Sequence, residues 1–197
     1  MPKTFSESER EIIKERLMEE AEKCISLYGI KKTTVDEIVK RAGIPKGTFY
    51  LFYESKEALV FDIFLRLNQT IQQKLLENVS AMQGKPDAET LTETIFQLYQ
   101  SLDGSFLLKI MENGEIEWLI RKAPRGFIEA NMADDDLMVG QLMALIPDMD
   151  TEKSEIFSGA LRGVFLAMMH KDKIANEHFD EVLRTMVRGI VIQMFGG

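Results

Sequence analysis

A single cysteine, Cys24, leaves the chain unable to close a disulfide within itself, which excludes the small secreted scaffolds held together by such bridges. Long hydrophobic runs are absent as well. The longest apolar stretches, such as Leu142 to Ile146, are short and soon broken by charge, whereas a helix crossing a bilayer needs roughly 20 such residues. Met1 to Arg10 lacks the apolar centre of a secretion signal, so the expected location is the cytoplasm. Catalytic chemistry finds little to work with. The two histidines, His170 and His178, stand on either side of a predicted loop, and neither a G-x-S-x-G elbow nor a glycine-rich phosphate loop occurs. The acidic triplet Asp134-Asp135-Asp136 places three consecutive side chains that cannot converge on one ion, and it reads as capping or solvating a helix start. No enzyme activity, no cofactor and no metal are therefore expected. Strand-length alternation is also missing, which excludes a β architecture.

What is present is helical periodicity and enough apolar residues, 45% of 197, to bury a sizeable core. The net charge of −8 argues against nucleic acid when taken as one number. Its distribution argues otherwise. Residues 1–56 hold 11 basic against 10 acidic side chains, so the acid lies in the remainder, and Lys31 to Lys56 is locally basic through Lys31, Lys32, Lys40, Arg41, Lys46 and Lys56.

Ile13, Leu17, Ala21, Cys24 and Tyr28 share one stripe of a helix predicted over 7–28. Ser6 with Glu9, or Ser8 with Glu11, supplies a capping box, and Gly29 is suited to a left-handed close. Thr34 starts a second helix as its cap, with Glu37 reaching back to complete the box. Val35, Ile38, Val39 and Ala42 form its apolar stripe, and Gly43 ends it. Pro45 then occupies the first position of a short third helix running to about Phe52, anchored by Phe49 and by one of Phe52 and Tyr53. Ser55 opens a fourth helix that keeps its period to the break at Gly84-Lys85-Pro86, a rod of roughly 40 Å able to join two domains. Helical segments follow near 88–102, 105–122, 124–146, 152–171 and 177–195.

Two short helices joined by a glycine-containing turn and leaning on a preceding helix form a helix-turn-helix, whose second helix is narrow enough to enter the DNA major groove. On that helix the groove-facing positions are Lys46, Gly47, Thr48, Tyr50 and Leu51. They combine donors, a small residue for close approach and an aromatic hydroxyl, a set that solubility alone does not select. Thr34 and Lys56 stand at two helix N-termini where phosphates can rest.

The stretch TTVDEIVKRAGIPKGTFYLFYESKEAL, Thr33 to Leu59, resembles the TetR family of bacterial repressors: the Thr pair, the Ala-Gly turn, Lys-Gly-Thr, the aromatic-Tyr pair and Ser-Lys-Glu stand at the family's spacing. The resemblance implies an all-α protein with a three-helix DNA-binding domain over 1–55, joined by a long helix to an effector-binding and dimerisation domain over 56–197. It also implies phosphate contacts from Thr34, Lys46, Tyr50 and Lys56, a base or sugar contact near Thr48, and close approach at Gly47. Leu51 and Phe52 depart from the polar or basic pair common in the family, which leaves contact with a thymine methyl as the substitute at Leu51.

In the family the last two helices form a four-helix dimer interface. The matching candidates are Phe157, Gly159, Leu161, Gly163 and Val164, with a second stripe of Val182, Met186 and Ile190. Phe96, Tyr99, Phe106, Met111, Trp118, Met138, Leu142 and Met168 are the apolar candidates for an effector pocket, while Glu112, Glu115 and Glu117 suit either a cationic effector or a solvated face. The implied function is a ligand-responsive repressor: a homodimer that binds a palindromic double-stranded operator and releases it when a small molecule enters the C-terminal domain. A helical interaction protein that has lost specific DNA binding is the alternative.

Overall fold

A computed structural model of the chain describes residues 5–82, 86–112, 114–147 and 149–196, less the side chains of Leu107, Glu112 and Asn176. Among these residues the secondary structure is helical, with no strand. Eleven α-helices occur among them: α1 Glu7–Tyr28, α2 Val35–Ala42, α3 Lys46–Phe49, α4 Lys56–Ser80, α5 Ala88–Leu102, α6 Phe106–Glu112, α7 Ile116–Ile120, α8 Phe127–Ala144, α9 Ser154–Met168, α10 Lys171–Ile174 and α11 Phe179–Met194. They group into two compact units. One runs up to Arg66 and takes in Lys109–Ala123; the other comprises Leu67–Leu108 and everything from Pro124 onward. The first thus holds the 1–55 segment read as DNA-binding, the opening turns of α4 and a piece from the middle of the chain.

In the first unit, α1 begins with the Ser6–Glu9 capping box: Glu9 N donates to Ser6 Oγ at 3.2 Å, and Ser6 N donates back to Glu9 Oε2 at 2.9 Å. Its buried stripe is Leu17, Met18, Ala21, Cys24 and Ile25. Tyr28, expected on that stripe, is exposed, because the helix closes there and the chain turns away. Gly29 adopts φ 81 but ψ 166, positive yet extended, so it starts a turn and does not form the left-handed cap expected of it.

In the second unit three helices each bury one period-true stripe. On α5 this is Leu91, Ile95, Phe96, Tyr99 and Leu102; on α9 Phe157, Leu161, Val164 and Met168; on α11 Phe179, Leu183, Val187, Val191 and Met194. These faces meet in one core, with α11 packed on α5 and α9, and α9 on α8. Asp87 caps α5 by accepting from Thr90 N at 2.8 Å.

Two expected boundaries shift. Gly114, at φ 66, divides the segment predicted over 105–122 into α6 and α7. Gly126, at φ 79, delays α8 to Phe127. Asp134 to Asp136 consequently lie inside α8, not at a helix start. There Asp135 accepts from Asn68 Nδ2 at 3.2 Å and from Gln72 Nε2 at 2.8 Å, while Asp136 accepts from Arg162 Nη1 at 3.0 Å. The predicted break after α4 includes Gly84 and Lys85, which lie outside the described residues.

Candidate nucleic-acid interface

The turn between α2 and α3 sets the geometry of the candidate surface. Thr34 caps α2, its Oγ1 accepting from Glu37 N at 3.2 Å. The reciprocal arm of the expected box is not made, and Glu37 instead lies 3.7 Å from Arg41 across one turn. At the far end Gly43 enters the left-handed region, φ 68 and ψ 32, so that its own N–H and that of Ile44 both reach the Val39 carbonyl. Pro45 stands one position earlier than expected: it is the residue flanking α3, and its carbonyl accepts from Thr48 N at 2.9 Å. The helix ends at Phe49 and tightens into a turn through Leu51 N to Thr48 O and Phe52 N to Phe49 O, which extends the helical surface to about residue 52.

Phe49 is fully buried and anchors α3, with the Tyr50 ring edge-on at 5.3 Å and the Tyr53 ring at 5.9 Å. Tyr53 is the second anchor. Its hydroxyl donates to Asp62 Oδ2 at 2.9 Å, and burial, reinforced by that carboxylate, pushes the phenol well above its ordinary pKa. Phe52 is half-buried between the Phe5 ring, at 6.3 Å, and the Arg10 guanidinium, at 4.8 Å.

The anchoring leaves one face of α3 outward. Lys46, Gly47 and Tyr50 are exposed, Thr48 is half-buried, Leu51 is 56% exposed, and Thr34 is exposed beside the start of α2. Lys46 Nζ sits 2.9 Å from Asp36 Oδ2, and that hydrogen bond raises its pKa. Gly47 would meet nothing within 4 Å if given a Cβ, so the subunit itself makes no demand for glycine there.

Lys56 is placed differently from the other candidates. Its half-buried ammonium donates to the Thr33 carbonyl at 2.7 Å and to the Ile30 carbonyl, with the Trp118 ring centroid at 6.0 Å. Burial lowers its pKa. The charge is turned onto the carbonyls of the turn before α2. Glu115, read as an effector contact or a solvated acid, is only 8% exposed and accepts from Ile30 N at 2.6 Å and Lys31 N at 3.0 Å. Nothing in the local sequence marks it, because its partners lie 85 and 84 residues away. Glu117 is exposed.

In the second unit, a groove of about 750 Å³ runs between α4 and α8, bordered by Gln72, Gln73, Leu76, Glu77, Met138 and Gln141 among others. Of the eight pocket candidates only Met138 borders it. Phe96, Tyr99, Leu142 and Met168 belong to the core instead: the Tyr99 hydroxyl donates to the Leu161 carbonyl at 2.7 Å, and the Arg184 guanidinium covers the Phe96 ring at 4.0 Å. Phe106 is half-buried on α6, and Met111 and Trp118 belong to the first unit.

The dimer candidates divide by face. Phe157, Leu161 and Val164 point inward and are consumed by the subunit's own core, so they are not free for a partner. Val182, Met186 and Ile190 are half-buried. Gly159 and Gly163 are exposed, flanked by Ile156 at 69% and Leu166 at 53% exposure. Among the described residues, no group of three or more His, Cys, Asp or Glu side chains is disposed to hold a metal, and no helix is long and apolar enough to cross a membrane.

The family model for bacterial regulatory proteins of the tetR family matches residues 17–63, which span the whole helix-turn-helix. The HTH-type transcriptional regulator YhgD of Bacillus subtilis is 30% identical over 145 residues, covering 69% of this chain and 75% of that protein. A TetR-family transcriptional regulator from Pectobacterium atrosepticum superposes with a TM-score of 0.72 at 14% identity, covering 98% of this chain and 97% of the other. SmeT, the repressor of the Stenotrophomonas maltophilia multidrug efflux pump SmeDEF, has been solved in complex with triclosan, and in that form it superposes with a TM-score of 0.61 at 20% identity over 93% of this chain and 90% of its own.

Proposed function

Because this chain belongs to the tetR family of bacterial regulatory proteins and is a DNA-binding transcriptional regulator, we propose that it acts as a homodimeric repressor that leaves a palindromic operator when a small molecule binds its C-terminal unit. The single observation that carries the DNA half is the outward face of α3, where Lys46, Gly47 and Tyr50 stand clear, with Thr48 half-buried beside them, while Phe49 and Tyr53 hold the helix from behind. Lys46 and Tyr50 reach phosphates, Thr48 a base or sugar edge, and Leu51 a thymine methyl. Thr34 offers its hydroxyl to a phosphate beside the N-terminus of α2. Lys56 contributes from beneath, by shaping the turn that ends at Thr33.

Dimerisation through α9 and α11 is supported by glycines that the subunit does not itself require. A Cβ on Gly163 or Gly189 would meet nothing within 4 Å, and on Gly159 only the end of Arg162 at 4.0 Å, so close approach of a second copy accounts for them. The groove between α4 and α8 is the proposed effector site, and the SmeT complex with triclosan supports a small organic molecule as the class of occupant. Effector binding favours dimers whose two recognition helices no longer match successive major grooves about 34–36 Å apart.

Selection of duplexes from a random-sequence pool by the purified protein, with competitor DNA present, tests this reading. A two-fold symmetric consensus is expected. Retention that is abolished by salt with no sequence enriched contradicts it and leaves a helical interaction protein.

A further inference from the structure

The five-residue turn Gly29 to Thr33, which delivers the chain to the cap residue Thr34, is held from both sides by distant side chains. Glu115 takes its amides: Oε2 accepts from Ile30 N at 2.6 Å and Oε1 from Lys31 N at 3.0 Å. Lys56 takes its carbonyls, at Ile30 and at Thr33. Thr33, fully buried, closes the turn by donating from Oγ1 to the Gly29 carbonyl at 2.8 Å. The fit is tight enough to specify glycine: a Cβ on Gly29 would lie 2.9 Å from Glu115 Oε2, in a backbone whose φ is already 81. Trp118, beneath the Lys56 ammonium, lies on the same segment as Glu115. That segment enters the DNA-binding unit at Lys109 and leaves it at Ala123, with the chain on both sides belonging to the effector unit.

We propose that Glu115 is a positioning residue for operator binding: its carboxylate fixes the Gly29–Thr33 turn, and through it the N-terminus of α2 and the placement of Thr34 and α3. The inference rests on the DNA-binding reading above. A buried carboxylate bridging two N–H groups is a strong, directional restraint, because loss of the acceptor leaves both donors unsatisfied. Lys56 keeps its hold on the Ile30 and Thr33 carbonyls, so the loss falls on the amide side of the turn. The segment that carries Glu115 is joined through the chain at both of its ends to the other unit.

The test compares wild type with Glu115→Gln, Glu115→Ala and Gly29→Ala on a duplex that the wild-type protein has itself selected. The glutamine matches the carboxylate in size and can accept from one amide, but it turns an NH₂ toward the other. The expected order of affinity is wild type, then Glu115→Gln about tenfold weaker, then Glu115→Ala weaker again, with the salt slope unchanged because no phosphate-binding cation is removed. Amide hydrogen exchange at Ile30 and Lys31 speeds up in Glu115→Gln while far-UV circular dichroism stays native. A residue that merely fills space gives Glu115→Gln the affinity and exchange rates of wild type, and that result overturns the proposal. Glutamine and alanine variants that both bind within twofold of wild type also overturn it while leaving DNA binding intact. A wild-type protein that selects no duplex overturns the DNA-binding reading, and this inference with it.

Discussion

Replacing Lys46 with alanine tests the contact surface quantitatively. Lys46 is exposed on α3 and paired with Asp36 at 2.9 Å, a hydrogen bond that raises its pKa. If each ammonium neutralises one phosphate, each contributes about 0.9 to the slope of log affinity against log salt, so the two in a dimer contribute roughly 1.8. Across a fourfold rise in salt, about 50 to 200 mM, wild type then loses roughly twelvefold more affinity than Lys46→Ala. Fluorescence anisotropy of a labelled selected duplex, titrated at four salt concentrations, measures both slopes. Asp36→Asn supplies the converse. It removes a carboxylate that competes for the same ammonium, and it raises affinity a few-fold with the slope unchanged. Identical slopes for wild type and Lys46→Ala would refute the assignment of this side chain to a phosphate.

Bulk at the outward glycines acts on assembly. Gly163→Leu leaves the subunit fold intact, since open space surrounds the position, but it shifts the protein to monomer by light scattering and abolishes operator binding. Phe49→Ala removes a fully buried anchor and costs the first unit about 3–5 kcal/mol in urea unfolding. The Cys24 thiol, fully buried and raised in pKa by that burial, is silent to a disulfide reagent in wild type and becomes reactive in this variant. Asp136 is held below the ordinary carboxylate pKa by the Ser158 hydroxyl first and the Arg162 guanidinium second. Its contribution is therefore fully present above the ordinary value and disappears as pH falls through the lowered one, so Asp136→Asn flattens the acid limb of the urea midpoint against pH.

Local chemistry was legible in the sequence wherever it stayed local. The Ser6–Glu9 box, the Thr34 cap and the left-handed Gly43 each involve residues a few positions apart, and each forms where its spacing places it. Apolar periodicity likewise located α5 over Ala88–Leu102. Burial direction on α9 was less accessible. Phe157, Leu161 and Val164 follow a helical period whether they face their own core or a second subunit, and only packing shows that they face inward while Gly159 and Gly163 face out. The same ambiguity holds for Tyr99 and Phe96, which look like cavity lining until the Leu161 carbonyl and the Arg184 guanidinium are seen against them, while Met138 borders the groove. Glu115 lay furthest from view, since the turn it clamps is more than 80 residues away and its neighbouring acids resemble solvated surface.

The double variant Lys46→Ala with Tyr50→Phe, assayed against a duplex selected by the wild-type protein, bears most directly on the claim that the outward face of α3 reads DNA. Both side chains are exposed, so helicity and dimer mass are expected to match wild type while affinity falls by about tenfold or more. A folded, dimeric double variant that binds the duplex as tightly as wild type would contradict it.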